Sequence, residues 1–150
     1  MNLNTLFGHW DMVRQGLLEV VQAFNADELA QRPFPSSWSV HEIICHIANT
    51  EAGWIHFAAW RKLDTWPEPY TAVDYPTIAD LVNLLNTIHA QTEVWLASLT
   101  LEDLNNVVSF GDGEIFTVGW IIWHVIEHEI HHRGELSLYL GQLGHKGLDV

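Results

Sequence analysis

Apolar residues recur every three or four positions in four long segments of this 150-residue chain, and the alternating pattern of a half-buried strand is almost absent. That periodicity restricts the chain to a mostly α fold. The first segment runs from about Thr5 to Phe24, with Leu6, His9, Trp10, Val13, Leu17, Val20, Val21 and Phe24 as its apolar stripe. Pro33 and Pro35 then enforce a connection. The second segment opens at Ser39-Val-His-Glu42, where Ser39 and Glu42 can satisfy each other's free backbone amides, and extends to about Lys62. Residues 63–76 carry three prolines and three aromatic residues, which predicts a long connection packed across the body rather than a tight turn. The third helix starts at Thr77 with Asp80 and ends near Leu99. Val107 to Phe116 is predicted to form a small hairpin around Gly111-Asp-Gly113. Thr117 caps the fourth helix, which ends near Leu143 before Gly144.

The length and a 48% hydrophobic content fit a single domain over residues 1–150. Six Lys plus Arg stand against nineteen Asp plus Glu, and the resulting formal charge of -13 disfavours nucleic acid and anionic membrane as partners. No run of about 18 uncharged apolar residues occurs, and the first residues lack the basic and apolar regions of a signal peptide, so the expected location is the cytoplasm. One cysteine, Cys45, rules out an internal disulfide and any zinc site built on several thiolates. Cys45 is read as a small buried apolar side chain.

His124, His128 and His132 recur at every fourth residue of the fourth helix and therefore project from one face. Two imidazoles one turn apart can reach one ion, but three on a straight helix span about 12 Å and cannot share it. Glu135 lies close to the direction of His128 and His132, which favours that pair as ligands and leaves His124 as a neighbour. A third ligand must come from another helix, because catalytic zinc-type sites use three protein ligands and keep a position for water. His46 on the second helix is the favoured candidate, with its ring facing the interior; His9 and His89 remain substitutes, and His41, two residues past the cap, is expected to be exposed. His128-Glu129-Ile-His-His132 also satisfies the H-E-x-x-H pattern, with Glu129 in the general-base position. A protease is disfavoured, since no upstream sheet is evident to bind an extended peptide and Glu135 stands where a metzincin needs glycine. Gly134, inside the fourth helix, is expected to mark the close approach of a neighbouring helix.

His128-Glu-Ile-His-His132-Arg-Gly-Glu-Leu, together with His46-Ile-Ala-Asn-Thr-Glu51, Trp38-Ser-Val and the closing Leu-Gly-Gln-Leu-Gly144, resembles the DinB/YfiT-like family across essentially the whole chain. The resemblance implies an all-α four-helix bundle of up-down-down-up topology, a homodimer, and a divalent metal held by His46, His128 and His132, with zinc or nickel expected. Glu135 stands where the family often has glutamine; a fourth ligand, an orienting group and a proton acceptor are all open to it. Glu135 and Glu129 are the candidate catalytic proton acceptors. The implied function is a metal-dependent hydrolase or a low-molecular-weight-thiol S-transferase, with bacillithiol or mycothiol as examples of the thiol, acting on a small-molecule substrate. The competing expectation is a non-catalytic stress-response or binding protein whose metal only staples the bundle.

Overall fold

The computed structural model describes residues 3–111 and 113–148. A short helix α1 (Leu3–Leu6) precedes α2 (His9–Ala23), α3 (Val40–Glu51), α4 (Ile78–Ser98) and α5 (Val118–Gln142). Gly8 breaks the first expected helix in two. That break takes Leu6 and His9 out of the stripe and leaves both exposed, while Trp10, Val13, Leu17, Val20, Val21 and Phe24 are buried as the periodicity requires.

Local chemistry fixes the helix starts. Ser39 accepts from the Glu42 amide and Glu42 returns the bond, and Thr77 and Asp80 form the same reciprocal pair. Thr117 accepts from the Trp120 amide at the start of α5, and Gly144, at φ +88°, ends that helix in the left-handed region. α3 does not stay α-helical to Lys62 as expected: from Ala52 to Ala59 it widens into π turns, and Arg61 leaves it at φ +60°. Gly53 lies in this wider segment directly beneath the Trp66 ring, where a β-carbon would collide. Strands β1 (Val107–Ser109) and β2 (Ile115–Thr117) pair antiparallel, Val107 opposite Thr117, as expected. Asp112, at the expected turn, lies outside the described residues.

Two apolar clusters reveal the chain directions. One joins the C-terminal half of α2 (Leu17, Val21), the N-terminal halves of α3 (Ile43, Ile44) and α4 (Leu81, Leu85), and the C-terminal half of α5 (Leu136, Leu140). The other joins the opposite ends: Trp10 and Val13, Ile55 and Ala58, Trp95 and Leu96, and Ile121, Ile122 and Val125. The bundle is therefore up-down-down-up. α3 and α4 run the same way, and the chain between them must travel back along the body, which accounts for the length of the 63–76 connection. Asn49 of α3 fastens that connection by donating to the carbonyls of Pro67 and Glu68 and accepting from the Trp66 indole. His41, expected on the surface, is buried by the same connection, its Nε2 2.9 Å from the Tyr75 carbonyl.

Between the two clusters lies a buried polar layer with one titratable side chain from each of α2, α3, α4 and α5. Arg14 of α2 donates to Glu51 of α3 at 2.5 Å and to Glu129 of α5 at 2.7 Å, Trp10 Nε1 also donates to Glu129, and His89 of α4 bonds the other oxygen of Glu51 at 2.9 Å. Both carboxylates are 1% exposed. Burial works to raise the Glu51 carboxyl, but the Arg14 charge and the His89 hydrogen bond outweigh it and hold it at about 2. Burial wins at Glu129 and pushes that carboxyl up against the pull of Arg14.

Candidate metal site

α3 and α5 pack directly against each other, and this contact brings three histidines from distant parts of the sequence together. His46 Nε2 and His128 Nε2 are 2.8 Å apart, so one ring donates to the other, and Thr50 Oγ1 lies 3.4 Å from the same His128 nitrogen. His132 completes the group: one ligating atom from each of the three lies within 4.8 Å of the others. His46 and His128 are half-buried and His132 is buried. The His46 ring does not face the bundle interior, as its neighbours suggested; it sits at the α3–α5 edge, with the Trp38 ring against it at 4.5 Å between centroids.

The donor set fits a divalent metal. Burial, reinforced by the adjacent His132 and His46 rings, pushes His128 down to about 3, and burial also lowers His46 and His132. All three rings are therefore neutral at pH 7 and offer lone pairs. His132 Nδ1 lies 2.8 Å from a Glu135 oxygen, while Tyr139 donates to the other Glu135 oxygen at 2.9 Å. A carboxylate accepts only, so the proton of His132 sits on Nδ1 and its Nε2 is left for the ion. Of the roles open to Glu135, the geometry favours orienting His132 over ligating.

The other expected residues fall elsewhere. Glu129, the second candidate proton acceptor, projects from a different face of α5 into the polar layer and is held by Arg14 and Trp10, so it is not placed with the histidines. His124 stacks on Trp120 at 4.8 Å and meets the Trp54 ring at 4.9 Å, inside an aromatic cluster with Phe110 and Phe116. His9 is exposed, and His89 belongs to the polar layer. Gly134 has open space around it within the chain, so no helix of this chain accounts for it. Sequence reasoning missed Trp38 as a wall of the site and missed Tyr139 as the second partner of Glu135. The spacing Glu135 to Tyr139, one turn along α5, was the available signal for the latter.

A cavity of about 270 Å³ opens beside the site, lined by Trp38, Glu42, Cys45, His46, Asn49 and Tyr70 with Pro69. A larger one of about 590 Å³ lies between Ala26, Arg32, His41 and Pro76. The smaller is the relevant cavity, because His46 lines it and the larger touches none of the three histidines. Burial pushes the Cys45 thiol up to about 12, so the cysteine lining this cavity is a protonated, unreactive wall.

The sequence model of the DinB superfamily matches residues 9–136. YjoA of Bacillus subtilis is 26% identical over 147 residues, covering 97% of this chain and 93% of that protein, and its crystal structure superimposes with a TM-score of 0.77 over 98% of this chain and 97% of YjoA. YfiT of Bacillus subtilis, described as a probable metal-dependent hydrolase with an unusual four-helix bundle topology, is 20% identical with a TM-score of 0.66, over 93% of this chain and 87% of YfiT. A mycothiol-dependent maleylpyruvate isomerase shares the fold at 13% identity and a TM-score of 0.66, over 91% of this chain and 61% of the isomerase.

Proposed function

Since this chain belongs to the DinB superfamily, we propose that His46, His128 and His132 hold a divalent metal and that the protein acts on a small molecule as a metal-dependent hydrolase or thiol S-transferase. The observation that carries the proposal is the convergence of three neutral imidazoles, one of them oriented by Glu135, beside an open cavity. A metal held there by His46, His128 and His132 would supply Lewis acidity, the chemistry that makes a water or a thiol easier to deprotonate near neutral pH. The chain's own residues do the rest. Glu135 fixes the His132 tautomer and is the nearest carboxylate to accept a released proton. Trp38 and Tyr70 form an aromatic wall that orders a substrate and excludes water on one side. The likeness to YfiT supports hydrolysis, and the likeness to the isomerase supports use of a low-molecular-weight thiol. The engagement of Glu135 with His132 and Tyr139 argues against a closed four-ligand structural site.

The homodimer belongs to the same proposal. Trp123, Ile130 and Leu138 form an exposed apolar row along α5, and Gly134 lies in that row, so the close approach expected at Gly134 is assigned to a second copy. The deciding experiment is metal content by mass spectrometry of tag-free protein, wild type beside His46→Ala. Near-stoichiometric zinc or nickel in the wild type and its loss in the variant is expected. Equal metal in both would refute the ligand set, and a metal-loaded protein without hydrolase or thiol-transfer activity across a substrate panel would refute the enzymatic reading.

A further inference from the structure

His89 has a nitrogen that the polar layer does not use. Its Nδ1 lies 2.9 Å from Glu51, a carboxylate that Arg14 keeps ionised, so Nδ1 donates to it and Nε2 is the ring nitrogen left over. His89 is 94% buried by its 6% exposure, and Nε2 has no hydrogen-bond partner among the described residues. A buried ring nitrogen left without a partner is costly, so a ligand from outside the chain is the expected means of satisfying it. With Nδ1 turned to Glu51, the nitrogen left to face the neighbouring cavity is Nε2. That cavity, of about 70 Å³, is lined by Phe7, Trp10, Asp11, His89, Glu93 and Leu96.

Two carboxylates reach the same point. Glu93 is four residues after His89 on α4 and shares its face, and Asp11 comes from the first turn of α2. One ligating atom from each of Asp11, His89 and Glu93 lies within 4.8 Å of the others. Neither carboxylate has an ion-pair partner among the described residues, so two acidic side chains and the unpartnered His89 nitrogen converge with no Lys or Arg bridged to them. Trp10 packs edge-on against the His89 ring at 4.9 Å and holds it in place.

We propose that Asp11, His89 and Glu93 form a second divalent-cation site, separate from the three-histidine site, that clamps the start of α2 to α4. The ligand chemistry is one imidazole and two carboxylates, a mixed set suited to zinc, cobalt or manganese rather than to magnesium or calcium. Its supporting shell is built from the core: Glu51 orients His89 as a carboxylate orients a zinc-ligating histidine, and Arg14 orients Glu51. Asp11 and Glu93 are exposed, so the ion has access from solvent.

The test uses Co²⁺ alone, with bound metal counted by equilibrium dialysis and mass spectrometry in four folded proteins. These are the wild type, His128→Ala/His132→Ala, Asp11→Asn/Glu93→Gln, and the combination of all four changes. His89 itself is left intact, since its removal would unpair Glu51 and risk the fold, whereas Asp11 and Glu93 are exposed. The expected uptake is two, one, one and no equivalents respectively. The inference is overturned if the His128→Ala/His132→Ala protein binds no cobalt, or if its bound equivalent survives the added Asp11→Asn/Glu93→Gln changes. Failure of the three-histidine reading looks different: the wild type and His128→Ala/His132→Ala would bind equally while Asp11→Asn/Glu93→Gln still lost one equivalent. A nitrogen NMR shift of His89 Nε2 on metal addition, absent in Asp11→Asn/Glu93→Gln, gives a second readout at the ligand itself.

Discussion

Replacing Arg14 with methionine keeps most of the side-chain volume and removes the guanidinium that pairs with both carboxylates of the polar layer. Glu51, 1% exposed, would then keep the His89 and Thr92 hydrogen bonds, and Glu129, equally buried, the Trp10 N–H donor. Breaking a buried ion pair by deleting one partner costs about 3–5 kcal/mol, because the surviving charge stays desolvated. For a domain of this size each kcal/mol moves Tm by about 2–4 °C, so Tm should fall by about 6–20 °C at pH 7.5. The pH dependence identifies the cause. In the wild type Glu51 is held at about 2, below its ordinary 4.5, so its contribution is fully present above pH 4.5 and is lost as pH falls toward 2. In Arg14→Met Glu51 is raised by burial, as Glu129 already is in the wild type, so folding takes up a proton, and stability is greatest in acid and lost as pH rises through the raised value. The deficit of the variant must therefore shrink as pH falls through that raised value toward 4.5, and shrink further as the wild type loses its Glu51 contribution below 4.5. Urea unfolding followed by far-UV circular dichroism, with chelator present, between pH 4 and 8 tests this. A deficit under about 1 kcal/mol at pH 7.5, or one that stays constant with pH, would refute the view of the layer as a dry, Arg14-neutralised cluster.

Glu135→Gln removes the charge that orients His132, and metal affinity at the three-histidine site should fall by about 10–100-fold with helix content unchanged, measured by competition with a chelating dye. Gly53→Ala places a methyl group against the Trp66 ring; the connection must move, at a cost of about 1–3 kcal/mol in urea unfolding and with a change in tryptophan emission. Cys45, with its thiol pushed up to about 12, should resist a thiol-reactive disulfide at pH 8 in native protein and react within seconds once unfolded; fast native labelling would contradict its burial. On acidification of metal-free protein, the depressed His128 contributes stability that is fully present above pH 6.5 and lost as pH falls toward 3, so His128→Gln should flatten the acid limb of the Tm profile.

Helix identity, the two reciprocal caps, the hairpin and the end of α5 at Gly144 follow from periodicity and short-range hydrogen bonding, interactions that span at most a few residues, and the chain states them directly. The same holds for His128 and His132, which one helical turn must place on one face. Tertiary contact decided what local spacing could not. The pairing of α3 with α5 turned His46 toward His128, and the connection folded over His41. Glu129, which fits a catalytic pattern when read along the chain, points toward α2, because a 100° step around the helix from His128 carries it to another face, where Arg14 neutralises it. The polar layer left a faint trace: Arg14, Glu51, His89 and Glu129 each occupy an inward-facing position of an apolar stripe. Four isolated exceptions become one network only when four helices meet, since desolvation and charge pairing depend on what surrounds a side chain and not on its place in the sequence.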